Sequence, residues 1–207
     1  MGFTNRINIH SMEDKSFRNK REYIQYLISR KEIKDGDILM YKGKGIISSL
    51  IKWFTKSEYS HAGITAWWDD RLMVLEAVGK GVVTKTLSKN IRDYHGDIDW
   101  YTLKTEYPEL QRKAIVKCAQ AELGKEYNNR QLYKIALNKI FGIEFSRYDR
   151  ERRSRKLFCS QYVSMVYFKS IELDLKENLA SSFTSPDDVA KSDKLIMKGT
   201  LKIIKQN

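Results

Sequence analysis

Three residues of this chain have the types needed for nucleophilic chemistry: His61 in YSHAGI, Glu76 in MVLEAV and Cys159 in KLFCSQYVSM. Cys159 opens a run in which Tyr162, Val163, Val166 and Tyr167 recur at helical spacing, and it follows a polar, basic segment. Two readings of it stand side by side. An unpaired cysteine on such a helix is commonly a small apolar core residue. In the first turn of a helix, by contrast, the free N–H groups and the dipole favour an anion and lower a thiol's pKa from about 8.5 toward the reactive thiolate. The choice depends on whether the chain supplies a base.

A lone histidine in a strand is ordinarily structural. Glu76 is harder to dismiss, because strand alternation puts it on one face with Leu72, Val74 and Val78. An ionised carboxylate among apolar side chains is costly unless something pairs with it. If SHAGITAW and LMVLEAVG are neighbouring strands joined by the turn WDDR, the Glu76 carboxylate reaches an imidazole nitrogen of His61. It would then fix the tautomer and stabilise the imidazolium, leaving the other nitrogen to take a proton from Cys159. That is a base, an orienting carboxylate and a nucleophile in the chain order His, Glu, Cys. A metal site from the same three side chains is a competing reading, but no HxxH or CxxC spacing accompanies them, so no metal and no cofactor is expected. His10 and His95 join no constellation.

The elements that must position these residues follow from periodicity and turn signals. A helix is expected over 14–31, led by Ser11 and Asp14 as a capping box. DILMYK is a short strand after the Asp-Gly turn. Ile46, Ile47, Leu50, Ile51 and Phe54 line one face of a short helix, and Trp53 and several lysines beside them are compatible with contact to lipid as well as with core packing. Strands then come in quick succession at 60–67, 72–79, 81–87 and 97–103, and connections this short imply antiparallel neighbours. PELQRKAIVKCAQAEL reads as a helix between Pro108 and Gly124, with Cys118 in the core, and NRQLYKIALNKIF as another stopped by Gly142. After the Cys159 helix, SPDDVAKS is a turn into a short helix, and LIMKGTLKII closes the fold as a strand or hairpin. Helices gathered at both ends of an antiparallel block make the fold class α+β.

The bulk numbers bound the partners. The 207 residues, 42% of them apolar, supply one globular core, and two distant cysteines argue against a disulfide framework. A net charge of +12 points to an anionic partner, and much of the excess lies in SRYDRERRSRK at 146–156. No RNP motif, zinc-finger spacing or basic-region heptad accompanies that run, so no specific nucleic-acid recognition is expected. There is neither a long apolar span nor the apolar stretch of a signal peptide, so the expected location is cytoplasmic as the chain stands, or the cell envelope if a leader was removed.

GDILMYKGKG, SEYSHAGI, VLEA, LGKEYN, FCSQYV and SPDDVA occur in the order seen in the circularly permuted NlpC-type papain-like cysteine peptidases, the YiiX-like group, which this chain resembles from about residue 35 to 195. The resemblance implies a papain-like α+β fold, an antiparallel sheet or partial barrel flanked by helices, in which the catalytic helix follows the sheet. It implies a catalytic domain over 35–207 behind an N-terminal helical extension over 1–34. Cys159 matches the family nucleophile, His61 its base and Glu76 its third polar residue, while Tyr127 matches a tyrosine whose hydroxyl helps bind the substrate carbonyl or oxyanion. The expected activity is cysteine-dependent cleavage of an amide or ester through a thioester acyl-enzyme, with transfer to water or an amine. The expected substrate is a peptide, a cell-wall peptide or a lipid or acyl amide, and an anionic membrane surface is a compatible partner. The competing class is a non-enzymatic basic module that binds anionic lipid or nucleic acid with Cys159 inert.

Overall fold

Consecutive apolar residues in DILMYK are the pattern of a strand covered on both faces, and the computed structural model bears this out: Ile38, Leu39, Met40 and Tyr41 are all buried. The structure describes residues 30–43, 57–127, 156–177, 179, 181 and 184–201. The helix expected over 14–31, apart from Arg30 and Lys31, lies outside the described residues, as do the apolar helix at 46–54, the helix at 129–141 and the basic run at 146–156 apart from Lys156.

In chain order the strands are β1 (Ile38–Gly43), β2 (His61–Trp68), β3 (Arg71–Val78), β4 (Gly81–Thr86), β5 (Gly96–Leu103), β6 (Glu126–Tyr127), β7 (Lys156–Leu157) and β8 (Leu195–Leu201). The helices are α1 (Leu87–Asp93), α2 (Glu109–Gln120), α3 (Cys159–Ile171) and α4 (Pro186–Ala190). Six strands form one sheet in the order β4-β3-β2-β1-β5-β8, antiparallel throughout, and β6 and β7 make a separate parallel pair. The α+β class read from the sequence therefore holds. Among the described residues no helix is long and apolar enough to cross a membrane.

The sheet buries both faces. On one, Met40, Ala62, Ile64, Leu75 and Ala77 pack against Ile115 and Ala119 of α2 and Tyr162, Val163 and Val166 of α3. On the other, Leu39, Tyr41, Leu72 and Val74 pack against Leu87 and Ile91 of α1. The strand expected over 81–87 runs to residue 87 in the sequence reading, with no helix before the next strand. In the structure the strand stops at Thr86, whose hydroxyl accepts from the Lys89 N–H and caps α1. Cys118, expected in the core, is only half-buried at its rim.

The Asp of GDIL has a structural job. Asp37 is fully buried and takes hydrogen bonds from Arg112 at 2.9 Å, Trp100 at 2.7 Å, Thr102 at 2.6 Å and the Lys34 N–H at 2.9 Å. These bonds tie α2 and β5 to the entrance of β1, and so fix the helix layer against the strands that carry the site.

Candidate active site

β2 and β3 are joined by a tight turn, and their ladder runs from Trp68↔Arg71 to Gly63↔Glu76, where it stops. The β3–β4 ladder continues two residues further, to Val78↔Gly81. His61 and Ala62 thus lie beyond the end of their pairing with β3, in a notch at the sheet's end. The first turn of α3 enters this notch.

Glu76 sits on the α1-facing side of β3, as alternation requires, and is 3% exposed. Its Oε2 lies 2.7 Å from His61 Nε2. Gly63, directly opposite Glu76, makes that crossing feasible: a Cβ there would stand 3.0 Å from Val74 Cγ1 and 3.4 Å from Glu76 Cβ. The other carboxylate oxygen accepts from Asn90 Nδ2 at 3.1 Å and lies 3.6 Å from Lys85 Nζ. With Nε2 engaged by Glu76, the hydrogen bond between His61 and Cys159 falls to Nδ1.

Cys159 is the first residue of α3 and 1% exposed. Its N-cap residue, Phe158, has no side-chain acceptor, so the first-turn N–H groups are left to other acceptors. The sulfur receives the backbone N–H groups of Ser160 and Ala62 together with the His61 ring. Ser160 Oγ donates to the Thr184 carbonyl at 2.7 Å, and the adjoining Ser185 forms a capping box with Asp188 at the start of α4. SPDDVA thereby steadies the turn that carries the sulfur.

Tyr127 reaches the same point from β6. It packs against Phe158 and Cys159, and its hydroxyl is hydrogen-bonded to the Cys159 sulfur. Its strand is fixed by the pairing Tyr127↔Leu157 and by the Val82 N–H, which donates to the Lys125 carbonyl at 2.8 Å. Gly81 permits that close approach: its φ is +111°, and a Cβ there would meet the Lys125 carbonyl oxygen at 2.5 Å.

Burial works against charge on each of these groups, and their mutual contacts reverse it. Burial alone would raise the Cys159 thiol; the hydrogen bond and charge of His61, then the Ser160 and Ala62 N–H groups, hold it below its ordinary value. For His61, burial would favour the neutral ring, but Cys159 and Glu76 push its pKa up to about 10. Glu76 would be raised by burial and is instead lowered by His61 and Lys85. Burial and the neighbouring sulfur keep the Tyr127 hydroxyl protonated well past the usual tyrosine range. The contacts thus favour the charged forms of the sulfur, the ring and the carboxylate against the neutral forms that burial alone would select.

The four residues singled out in the sequence, Cys159, His61, Glu76 and Tyr127, therefore converge on one notch. The sequence reading missed Asn90, Lys85 and the two backbone donors. A polar Asn90 between the apolar Leu87 and Ile91 was the available signal for the first. Among the described residues no group of three or more His, Cys, Asp or Glu side chains is placed to share a metal ion.

Residues 32–202 match the family model of the permuted papain-like amidase enzymes, YaeF/YiiX, C92 family. No match was found among curated proteins. Among solved structures, the chain is similar in fold to yiiX from Escherichia coli O157:H7, described as a metalloprotein, with 21% identity over 79% of this chain and 95% of that one and a TM-score of 0.61.

Proposed function

This chain belongs to the permuted papain-like amidases, and from that premise we propose that it cleaves an amide bond by nucleophilic catalysis, with Cys159 as nucleophile, His61 as acid and base, and Glu76 as the orienting carboxylate. The observation that carries the reading is the 2.7 Å contact between His61 Nε2 and Glu76 Oε2 on a ring whose other nitrogen bonds the Cys159 sulfur. A core cysteine needs no such base.

The steps follow from the geometry. The Cys159 thiolate adds to the substrate carbonyl carbon, and the carbonyl oxygen becomes an oxyanion beside the first turn of α3 and the Tyr127 hydroxyl. As the oxyanion collapses, the C–N bond breaks, and the His61 imidazolium gives its proton to the leaving amine. A thioester to Cys159 remains. Water, losing a proton to His61, adds to the thioester; the C–S bond then breaks, the carboxylic acid leaves, and the thiolate–imidazolium pair is restored. An amine in place of water would make the same enzyme an acyltransferase. The proposed substrates are peptides, cell-wall peptides or acyl amides of lipids, and the net charge of +12 favours those presented on an anionic membrane surface.

The test is to incubate the protein with a set of peptide amides, cell-wall peptides and N-acyl amides, the last both free and in anionic vesicles, and to look for acyl adducts by intact mass. The reading expects a hydroxylamine-sensitive adduct at Cys159 with one of these classes, absent from Cys159→Ala. Turnover that survives in Cys159→Ala would overturn it. Salt-sensitive binding of vesicles or nucleic acid, with no adduct from any class, would favour the non-enzymatic reading instead.

A further inference from the structure

Asn90 is buried at 6% exposure on α1, between two partners from different strands. Tyr41 of β1 donates its hydroxyl to Asn90 Oδ1 at 2.9 Å, and Asn90 Nδ2 donates to Glu76 Oε1 at 3.1 Å. The direction of this chain of bonds is forced. An ionised Glu76 only accepts, so the amide must present its NH2 group to it, and Oδ1 is left for the tyrosine hydroxyl. The same Tyr41 ring lies 4.9 Å from the His61 ring, centroid to centroid.

We propose that Asn90, oriented by Tyr41, is a positioning residue for the catalytic pair: by occupying Glu76 Oε1 it holds Oε2 on His61 Nε2 and keeps the His61 ring aimed at the Cys159 sulfur. This rests on the reading of Cys159 and His61 as nucleophile and base. Without the amide, the Glu76 carboxylate is free to turn toward Lys85, whose ammonium stands 3.6 Å from Oε1 on a side chain 43% exposed, and the imidazolium loses its fixed counter-charge.

The titratable groups around the pair are Tyr41 from β1, Lys85 from β4, Tyr94 just past α1, Tyr127 from β6 and Cys159 from α3. Burial pushes all three tyrosines up, Tyr94 to about 12, so they stay neutral where His61 and Cys159 exchange protons. The tyrosines therefore do not confound the titration of the ring, which Cys159 and Glu76 govern, and the Glu76→Gln background separates the part that runs through Glu76 from the part due to Cys159.

The experiment is to titrate ¹⁵N-labelled His61 by NMR in the intact protein, and to measure the rate of Cys159 alkylation by iodoacetamide across pH, in the parent, Asn90→Leu, Glu76→Gln and the double variant. In Asn90→Leu, His61 is expected to lose its proton about one pH unit lower than in the parent, as loss of one hydrogen bond to a charged group implies, and acyl transfer to slow by about tenfold. In the Glu76→Gln background the same change is expected to add less than about twofold, because Asn90 acts through Glu76. Effects that multiply in full in the double variant, or an unmoved His61 titration, would overturn the proposal, since a merely structural residue would lower the melting temperature and leave the titration in place. Should Asn90→Leu fail to fold, Tyr41→Phe decides: a smaller shift in the same direction supports the proposal, and none refutes it. If the parent Cys159 is inert in the neutral range, the catalytic reading fails and this inference with it. If the parent reacts as expected and only the variants fail to respond, this inference alone falls.

Discussion

Replacing Glu76 by Gln tests how much of the catalytic power comes from the charge behind His61. The substitution keeps the volume of a side chain only 3% exposed. The Gln oxygen can still accept from His61 Nε2, which turns its NH2 group toward Asn90 Nδ2 and Lys85, two donors. Asn90 removes its part of the clash by turning its amide over, since the Tyr41 hydroxyl can accept as well as donate, and Lys85, 43% exposed, swings its ammonium into solvent. The variant therefore folds, and what it loses is the carboxylate's hold on the imidazolium. A hydrogen bond to a charged group contributes about 1.5–3 kcal/mol, and each 1.4 kcal/mol or so is a factor of ten, so kcat/KM should fall by roughly 10- to 150-fold. Because the carboxylate favours the protonated ring, removing it moves the alkaline limb of the pH–rate profile down, from about 10 by roughly one to two pH units. The assay is kcat/KM for an acyl p-nitroanilide from pH 5 to about 10.5, with melting temperature as the control for folding. A variant within about threefold of the parent, with an unmoved alkaline limb, would refute the role given to Glu76.

Other changes separate the site from its scaffold. In Gly63→Ala the new methyl meets Val74 and the Glu76 stem at 3.0 and 3.4 Å, so we expect about 1–3 kcal/mol of overpacking by thermal melting, together with reduced activity per folded molecule. Tyr127→Phe keeps the ring against Phe158 and Cys159 and removes only the hydroxyl on the sulfur. If that hydroxyl helps hold the oxyanion, kcat should drop by about 10² while KM and melting temperature change little. Arg112→Met leaves the Asp37 carboxylate buried without its ion-pair partner. Stability should fall by about 3–5 kcal/mol in denaturant titrations, with the pH profile of the surviving enzyme unchanged.

The parts of the site that alternation and turn length control were legible in the sequence. Glu76 among apolar strand residues, His61 at the head of the preceding strand and a tight turn between them were enough to pair the two, and the polar segment before Cys159 marked the helix start. The β2–β3 and β3–β4 pairings followed for the same reason, but the strand at 97–103, expected beside 81–87, pairs instead with β1 and β8 and leaves β4 at the sheet edge, because a connection long enough to hold α1 no longer dictates the neighbour. What stayed hidden depends on three-dimensional endings. LSKNIRD offers only Leu87 and Ile91 as an apolar pair, too short a run for helical periodicity to register, so α1 and with it Asn90 went unseen. The Ala62 N–H is available to the sulfur because the β2–β3 ladder stops at Gly63↔Glu76 while β3–β4 runs on, and no residue type announces where a ladder ends. Cys118 read as core because it stands in an apolar helical run, yet α2 leaves that position at the rim beside Glu122 and Lys169.

The most direct test of the central claim is the pH dependence of iodoacetamide labelling at Cys159, read by peptide mass spectrometry in the parent and in His61→Ala. The hydrogen bond and charge of His61 hold the thiol below its ordinary value, so the parent should react well below pH 8, and His61→Ala should shift that reactivity up to the ordinary thiol range of about 8.5 or beyond. A Cys159 that stays inert until the protein unfolds, or reacts identically in both proteins, would contradict the account.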